Sequence, residues 1–134
     1  MNLLLKDTLT LTNSPEQIQN INFIGKWENE LGSTMEITRN MNGLLEGTYT
    51  TAVGQPPNME TFKLTGFASG DLISFVVDFG KYGSITSWTG QHSLKEGSEI
   101  IFTMWHMAIN LKDEEEDKKI WGSVWTGYNN FKRS

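Results

Sequence analysis

The sequence predicts an all-β fold, an eight-stranded antiparallel up-and-down β-barrel, and three observations lead there. From Gly25 onward, short runs rich in β-branched and aromatic residues recur at close spacing, each bounded by turn residues. All three prolines lie outside those runs, as they must where a strand uses its N–H groups in a ladder. No segment sustains a helical period. The stretch "LKDEEEDKKI" is the one place where a short helical turn fits, and its run of charges reads as a solvated loop.

The runs can be justified in order. Gly25–Glu30 and Thr34–Arg39 are parted by Gly32, and Asn42-Gly43 is a hairpin signal before Leu44–Val53. Gly54 with Pro56-Pro57 ends that run ahead of Thr61–Gly66, and Ser69-Gly70-Asp71 leads into Leu72–Phe79. Gly80 and Gly83 precede Ser84–Gln91, Gly97 precedes Ile100–Met107, and the last run is Gly122–Phe131. Eight such strands close into a barrel whose interior is filled by side chains or holds one small ligand. Ahead of them, Leu9 and Leu11 alternate with threonines like an edge strand, while "NSPEQIQN" reads as a connector. The chain is therefore divided into an appended arm, residues 1–24, and a barrel domain, residues 25–134.

Composition narrows the function classes. The 134 residues make one domain's worth of chain, enough to bury a core without staples. With no cysteine there is no disulfide framework, no thiolate nucleophile and no Cys-based zinc site. A formal net charge of −5 and scattered Lys and Arg argue against a phosphate-binding surface, so no nucleic acid partner is expected. The amino terminus carries only three consecutive leucines before Lys6 and Asp7, short of a signal-peptide core; no signal peptide is visible in this chain and no membrane span is expected.

The distribution of hydroxyls is the informative anomaly. In "GTYTTAVGQ", Tyr49, Thr51 and Val53 share one strand face and Thr48, Thr50 and Ala52 the other, so both faces carry hydroxyls. A buried hydroxyl without a partner costs roughly 1–3 kcal/mol, so a strand facing an ordinary core avoids them. "SITSWTGQH" repeats the pattern, with Ser84, Thr86 and Trp88 on one face. Thr103, Trp105 and Met107 do so in "IFTMWHM", as does the set Trp121, Ser123, Trp125 and Gly127 in "WGSVWTGYNNF". Aromatic walls with a few convergent polar groups make a small-molecule pocket, although five tryptophans can equally serve as core and interface bulk.

The two histidines do not suggest chemistry. His106 points to the face opposite Trp105 and Met107, and His92 follows a predicted strand end, so both are expected to be exposed or at an interface. They and the scattered carboxylates assemble no nucleophile–base–orienter arrangement, and no cluster has metal-ligand spacing. The expectation is a protein that is not an enzyme and that carries no metal and no cofactor.

The strings "GKWENELGS", "GTYTTAVG", "SITSWTGQH", "TMWHM" and "WGSVWTGYNNF", in this order, closely resemble the biotin-binding avidin and streptavidin family over residues 25 to 131. Streptavidin is a standard example of the eight-stranded barrel holding one ligand, so on architecture the resemblance and the strand count are not independent. The resemblance implies that Asn29, Ser33 and Tyr49 converge as donors on the ureido oxygen of biotin, while Thr51 and Asn129 accept from its two N–H groups. Three donors on one carbonyl oxygen would favour its charge-separated form, as an oxyanion hole does. It further implies that Thr86 approaches the thioether sulfur and that Ser84 meets the valerate carboxylate together with Gly54 and Gln55. The walls would be Leu31, Val53, Phe79, Trp88, Trp105 and Met107.

Some positions depart from the commoner family pattern. Phe79 stands where members often place tryptophan, and Met107 replaces a frequent leucine at similar volume. The "QPPNME" loop differs from the typical lid, and the arm has no evident counterpart. Trp121 matches the residue that, in tetrameric members, reaches across a neighbour's ligand; the resemblance therefore implies a homotetramer, with a dimer as the alternative, and secretion. The leading expectation is non-catalytic, high-affinity sequestration of biotin. The alternative is a lipocalin-like or fatty-acid-binding-like barrel carrying another small apolar ligand.

Overall fold

The computed structural model describes residues 20–52, 60–111 and 123–134. Eight strands form one closed barrel: β1 (Gly25–Asn29), β2 (Thr34–Met41), β3 (Leu44–Thr50), β4 (Thr61–Ser69), β5 (Leu72–Asp78), β6 (Ser84–Lys95), β7 (Ser98–Ile109) and β8 (Val124–Arg133). Each strand pairs antiparallel with its sequence neighbour, and β8 returns to β1 through Trp27↔Arg133, Glu28↔Lys132 and Asn29↔Phe131. Closure removes the unpaired edges that an open sheet would expose.

The strands form where the period-two pattern puts apolar side chains on one face. Leu45 and Tyr49 of β3, Ile73, Phe75 and Val77 of β5, and Ile101 of β7 all turn inward and are buried. The β2–β3 hairpin turns on Asn42-Gly43 with φ of 53° and 96°, the left-handed pair that a two-residue turn of this twist requires. Along β2 the register slips between Ile37 and Arg39, a bulge that adds twist where the barrel wall bends.

The sheet is longer than the hydrophobic pattern shows. β6 runs on to Lys95 and β7 begins at Ser98, because the ladder continues through Leu94↔Glu99 and Lys95↔Ser98 with no apolar alternation to announce it. This overturns the expectation for His92. It does not follow a strand end but lies within β6, on the inward face with Trp88, and is 8% exposed. His106 is on the outer face as expected. A second feature the pattern missed is the short 3₁₀ turn Gly80–Tyr82, which ends at Gly83 in the left-handed conformation. Residues 112–120 of the charged stretch lie outside the described residues, as do Val53, Gly54, Gln55 and Trp121.

The core divides along the barrel axis. One half is filled by Trp27, Met35, Ile37, Leu45 and Phe131, joined by Phe23 from just ahead of β1, whose carbonyl accepts a 3.0 Å hydrogen bond from the Trp27 indole. The other half is not filled by side chains, and the inward hydroxyls and amides gather there. Among the described residues no helix is long and apolar enough to cross a membrane.

Candidate functional site

The unfilled half of the barrel is a cavity of about 410 Å³, within the range of small-molecule sites. Every residue that the sequence assigned to the pocket and that lies among the described residues lines it: Asn29, Leu31, Ser33, Tyr49 and Thr51 from β1 to β3, then Phe79, Ser84, Thr86 and Trp88, then Trp105, Met107 and Asn129. Two lining residues went unread, Phe62 and Tyr82. Phe62 was legible in principle, because it shares the inward face of β4 with buried Leu64. Tyr82 was not, because it sits on the 3₁₀ turn, where strand alternation does not apply.

The aromatic walls are held by ring contacts. Trp88 stacks on Phe75 at 5.0 Å and 14°, and Tyr49 lies 4.9 Å from Trp88 with its ring tilted by 34°. Phe79 packs edge-on against Phe62 at 4.8 Å and against Tyr49 at 6.0 Å, so its smaller ring is supported on two sides. Trp105 reaches across the wall because residue 127 is glycine: a Cβ there would lie 2.4 Å from the indole. At the rim, the Tyr82 hydroxyl donates to Glu60, which also pairs with Lys81 at 3.3 Å.

The polar end is built from two asparagines facing opposite ways. Asn29, at the end of β1, accepts the backbone N–H groups of Leu31 and Ser33 on Oδ1, each at 3.0 Å. Its oxygen is thereby saturated and its Nδ2 remains as the donor. Asn129 of β8 does the reverse. Its Nδ2 donates to Glu30 Oε1 at 2.7 Å, while its Oδ1 accepts the Trp88 indole N–H at 2.9 Å and keeps a second lone pair. An indole can only donate and a carboxylate can only accept, so these partners fix the orientation of the Asn129 amide. Its backbone carbonyl is held by the Thr103 hydroxyl at 2.9 Å.

Tyr49 and Ser33 complete the donor side. Ser33 Oγ accepts the Ala52 N–H at 3.0 Å, and the side chains of Ser33 and Asn29 hydrogen-bond the Tyr49 phenol oxygen. Burial pushes the Tyr49 phenol above its ordinary value, opposed by those two bonds and reinforced by the charge of Glu30, so its O–H stays protonated at neutral pH. Glu30 is a group the sequence reading did not bring to the cluster. Partial burial works against its charge, but the hydrogen bonds from Asn129 and from the Asn130 N–H outweigh it and hold its carboxyl below the ordinary value.

The cavity therefore offers donors on one side and an oriented acceptor on the other, inside an aromatic enclosure. That pattern receives a neutral group whose carbonyl oxygen is flanked by N–H. No histidine lines the cavity, and among the described residues no group of three His, Cys, Asp or Glu side chains could hold a metal ion.

A sequence model of the avidin family matches residues 17–134. Avidin-related protein 4/5 of Gallus gallus is 36% identical over 138 residues, covering 98% of this chain and 90% of the relative. Among solved structures, xenavidin superposes with a TM-score of 0.75 at 34% identity, covering 87% of this chain and 100% of its own. A biotin-binding protein from chicken gives a TM-score of 0.75 at 27% identity, over 86% of this chain and 98% of its own. With the family match running through nearly all of the described barrel, the chain belongs to the avidin family.

Proposed function

We propose that this protein is a non-catalytic binder that holds one biotin per chain, its ureido ring at the polar end of the cavity and its aliphatic tail toward the rim. The observation that carries this reading is the opposed pair of asparagines: Asn29 has its oxygen saturated and presents its amide nitrogen, whereas Asn129 has its nitrogen tied to Glu30 and presents the remaining lone pair of its oxygen, the complement of a cyclic urea. Tyr49 adds a donor beside Asn29, Ser33 adds another when its hydroxyl turns from the Tyr49 oxygen to the ligand, Thr51 in the same lining supplies a further hydroxyl oxygen, and the aromatic walls suit a small rigid ligand. Such a site gains affinity because its groups are already ordered, so little is lost on binding. A barrel for an apolar ligand needs no such cluster, which disfavours the lipocalin-like alternative. Titration calorimetry tests the proposal: one site per chain is expected without added metal or cofactor, and folded protein that ignores micromolar biotin overturns it.

Self-association is part of the same proposal. On the outer face of the sheet, Phe67, Ser74, Thr89, Met104 and Tyr128 lie in one register row across β4 to β8. The adjacent row is Thr65, Val76, Ser87, His106 and Thr126, so neither row contains Asp, Glu, Lys or Arg. Phe67, Met104 and Tyr128 are all more than half exposed in the single chain. An uncharged face with large exposed apolar groups suits a second copy of the chain, and the position of Trp121 in the sequence suits a tetramer. Light scattering is expected to give a tetramer that Met104→Lys dissociates; a monomeric wild type rules the assembly out.

A further inference from the structure

We propose that Glu30 is a positioning residue for the ligand, one that locks the Asn129 amide with its oxygen toward the cavity and so decides that this position accepts rather than donates. The inference deepens the biotin reading and rests on it for the identity of the ligand.

The geometry around Asn129 motivates it. Asn129 is 5% exposed, and its amide has two partners: the Trp88 indole at 2.9 Å on Oδ1 and Glu30 Oε1 at 2.7 Å on Nδ2. The second oxygen of Glu30 accepts the Asn130 N–H at 2.8 Å, so the carboxylate bridges the side chain of one residue of β8 and the backbone of the next. A carboxylate spanning two donors has no freedom to rotate out of line, and a charge on the far side of an amide strengthens the acceptor at its near end. Glu30 itself is exposed and lies outside the cavity lining. Replacing it removes two hydrogen bonds and a charge without opening the core, which makes its role separable from folding. From β3 the Tyr49 phenol feels the Glu30 charge, and from β8 the two groups that face it are the amides of Asn129 and Asn130.

The test pairs an unliganded and a liganded readout on wild type, Glu30→Gln and Glu30→Ala. In ligand-free protein, the NMR resonances of the Asn129 side-chain amide and the Trp88 indole N–H are expected to titrate together in acid, below the ordinary carboxyl range. In Glu30→Gln that titration is expected to vanish while the strand amides keep their shifts. Biotin release is expected to accelerate about ten- to a hundredfold in Glu30→Ala, with an intermediate rate in Glu30→Gln, which can accept from Asn129 but opposes a donor to Asn130. Resonances indifferent to both pH and substitution, or folded Glu30→Ala releasing biotin at the wild-type rate, overturn the proposal. A wild type that binds no biotin defeats the function reading alone, and the unliganded titration still decides the role of Glu30.

Discussion

The two halves of the barrel handle buried polarity in opposite ways. In the closed half, Arg133 spends its hydrogen bonds on its own chain: Nε and Nη2 grip both oxygens of Glu99 at 2.9 Å, Nη1 reaches the Ile24 carbonyl at 2.8 Å, and Nη2 also reaches the Asn22 carbonyl at 2.7 Å. Its guanidinium lies 4.0 Å over the Trp27 ring, and His92 joins Glu99 at 2.9 Å while meeting Phe23 and Trp27 edge-on. In the pocket half the polar groups are also paired, but each keeps a direction unspent: a donor on Asn29, a lone pair on Asn129. The closed half turns polarity into cohesion, and the pocket half keeps some of it available to a ligand. What distinguishes a site from a core in this molecule is residual hydrogen-bonding capacity, not polarity as such.

The largest effect that would break this division is expected from Arg133→Ala. The change leaves Glu99 with His92 alone, takes the donor from two carbonyls and uncovers the face of Trp27, and is expected to lower stability by roughly 2–4 kcal/mol in urea melts. Biotin affinity of the folded fraction is expected to hold within a fewfold, and a parallel loss of affinity would show that the halves are coupled. Next come Tyr49→Phe and Ser33→Ala, each expected to weaken biotin binding by about 1–3 kcal/mol in calorimetry. Combined, the two should depart from additivity, because both donors act on one oxygen.

The smallest effects are titrations. The Arg133 hydrogen bonds draw Glu99 down to about 2, against the opposing cost of its partial burial and with further help from His92. A carboxyl depressed on folding contributes stability that is full above its unfolded value, near 4.5, and is lost as pH falls through the folded value. Glu99→Gln is therefore expected to flatten the acid limb of the stability curve without touching the binding curve. Biotin binding is expected to vary little from about pH 5 to 9, because Glu30 stays ionised and the Tyr49 phenol stays protonated across that window. A steep change within it would place another titrating group in the pocket.

Much of the barrel and most of the lining could be read from alternation, because Tyr49, Thr86, Trp88, Trp105 and Asn129 all sit on strands whose inward face the period of two assigns. Their roles toward a ligand came from family resemblance, not from that period. The misreadings share one physical origin, that alternation reports burial and is silent where a residue is held by something else. His92 looked terminal because the strand continues into polar residues, yet it is buried by partners from β1, β7 and the segment ahead of β1. Glu30 received no role, because its bond to Asn129 joins residues 99 positions apart in sequence, beyond the reach of any local pattern. Tyr82 enters the wall from a turn.

The β1–β8 seam has a kinetic consequence. Every other pairing in the barrel joins neighbours in sequence, so it can form as a local hairpin or meander; this one must bring residues 27–29 to residues 131–133 and pays for closing most of the chain as a loop. The two opposed asparagines stand on either side of it, Asn29 on β1 and Asn129 on β8. A ligand held between them acts as a non-covalent crosslink across the slowest contact to form and the natural place for the barrel to open. Its residence time is then tied to the opening rate of that seam, and amide hydrogen exchange along β1 and β8 is expected to slow more on ligand binding than exchange along β4 and β5.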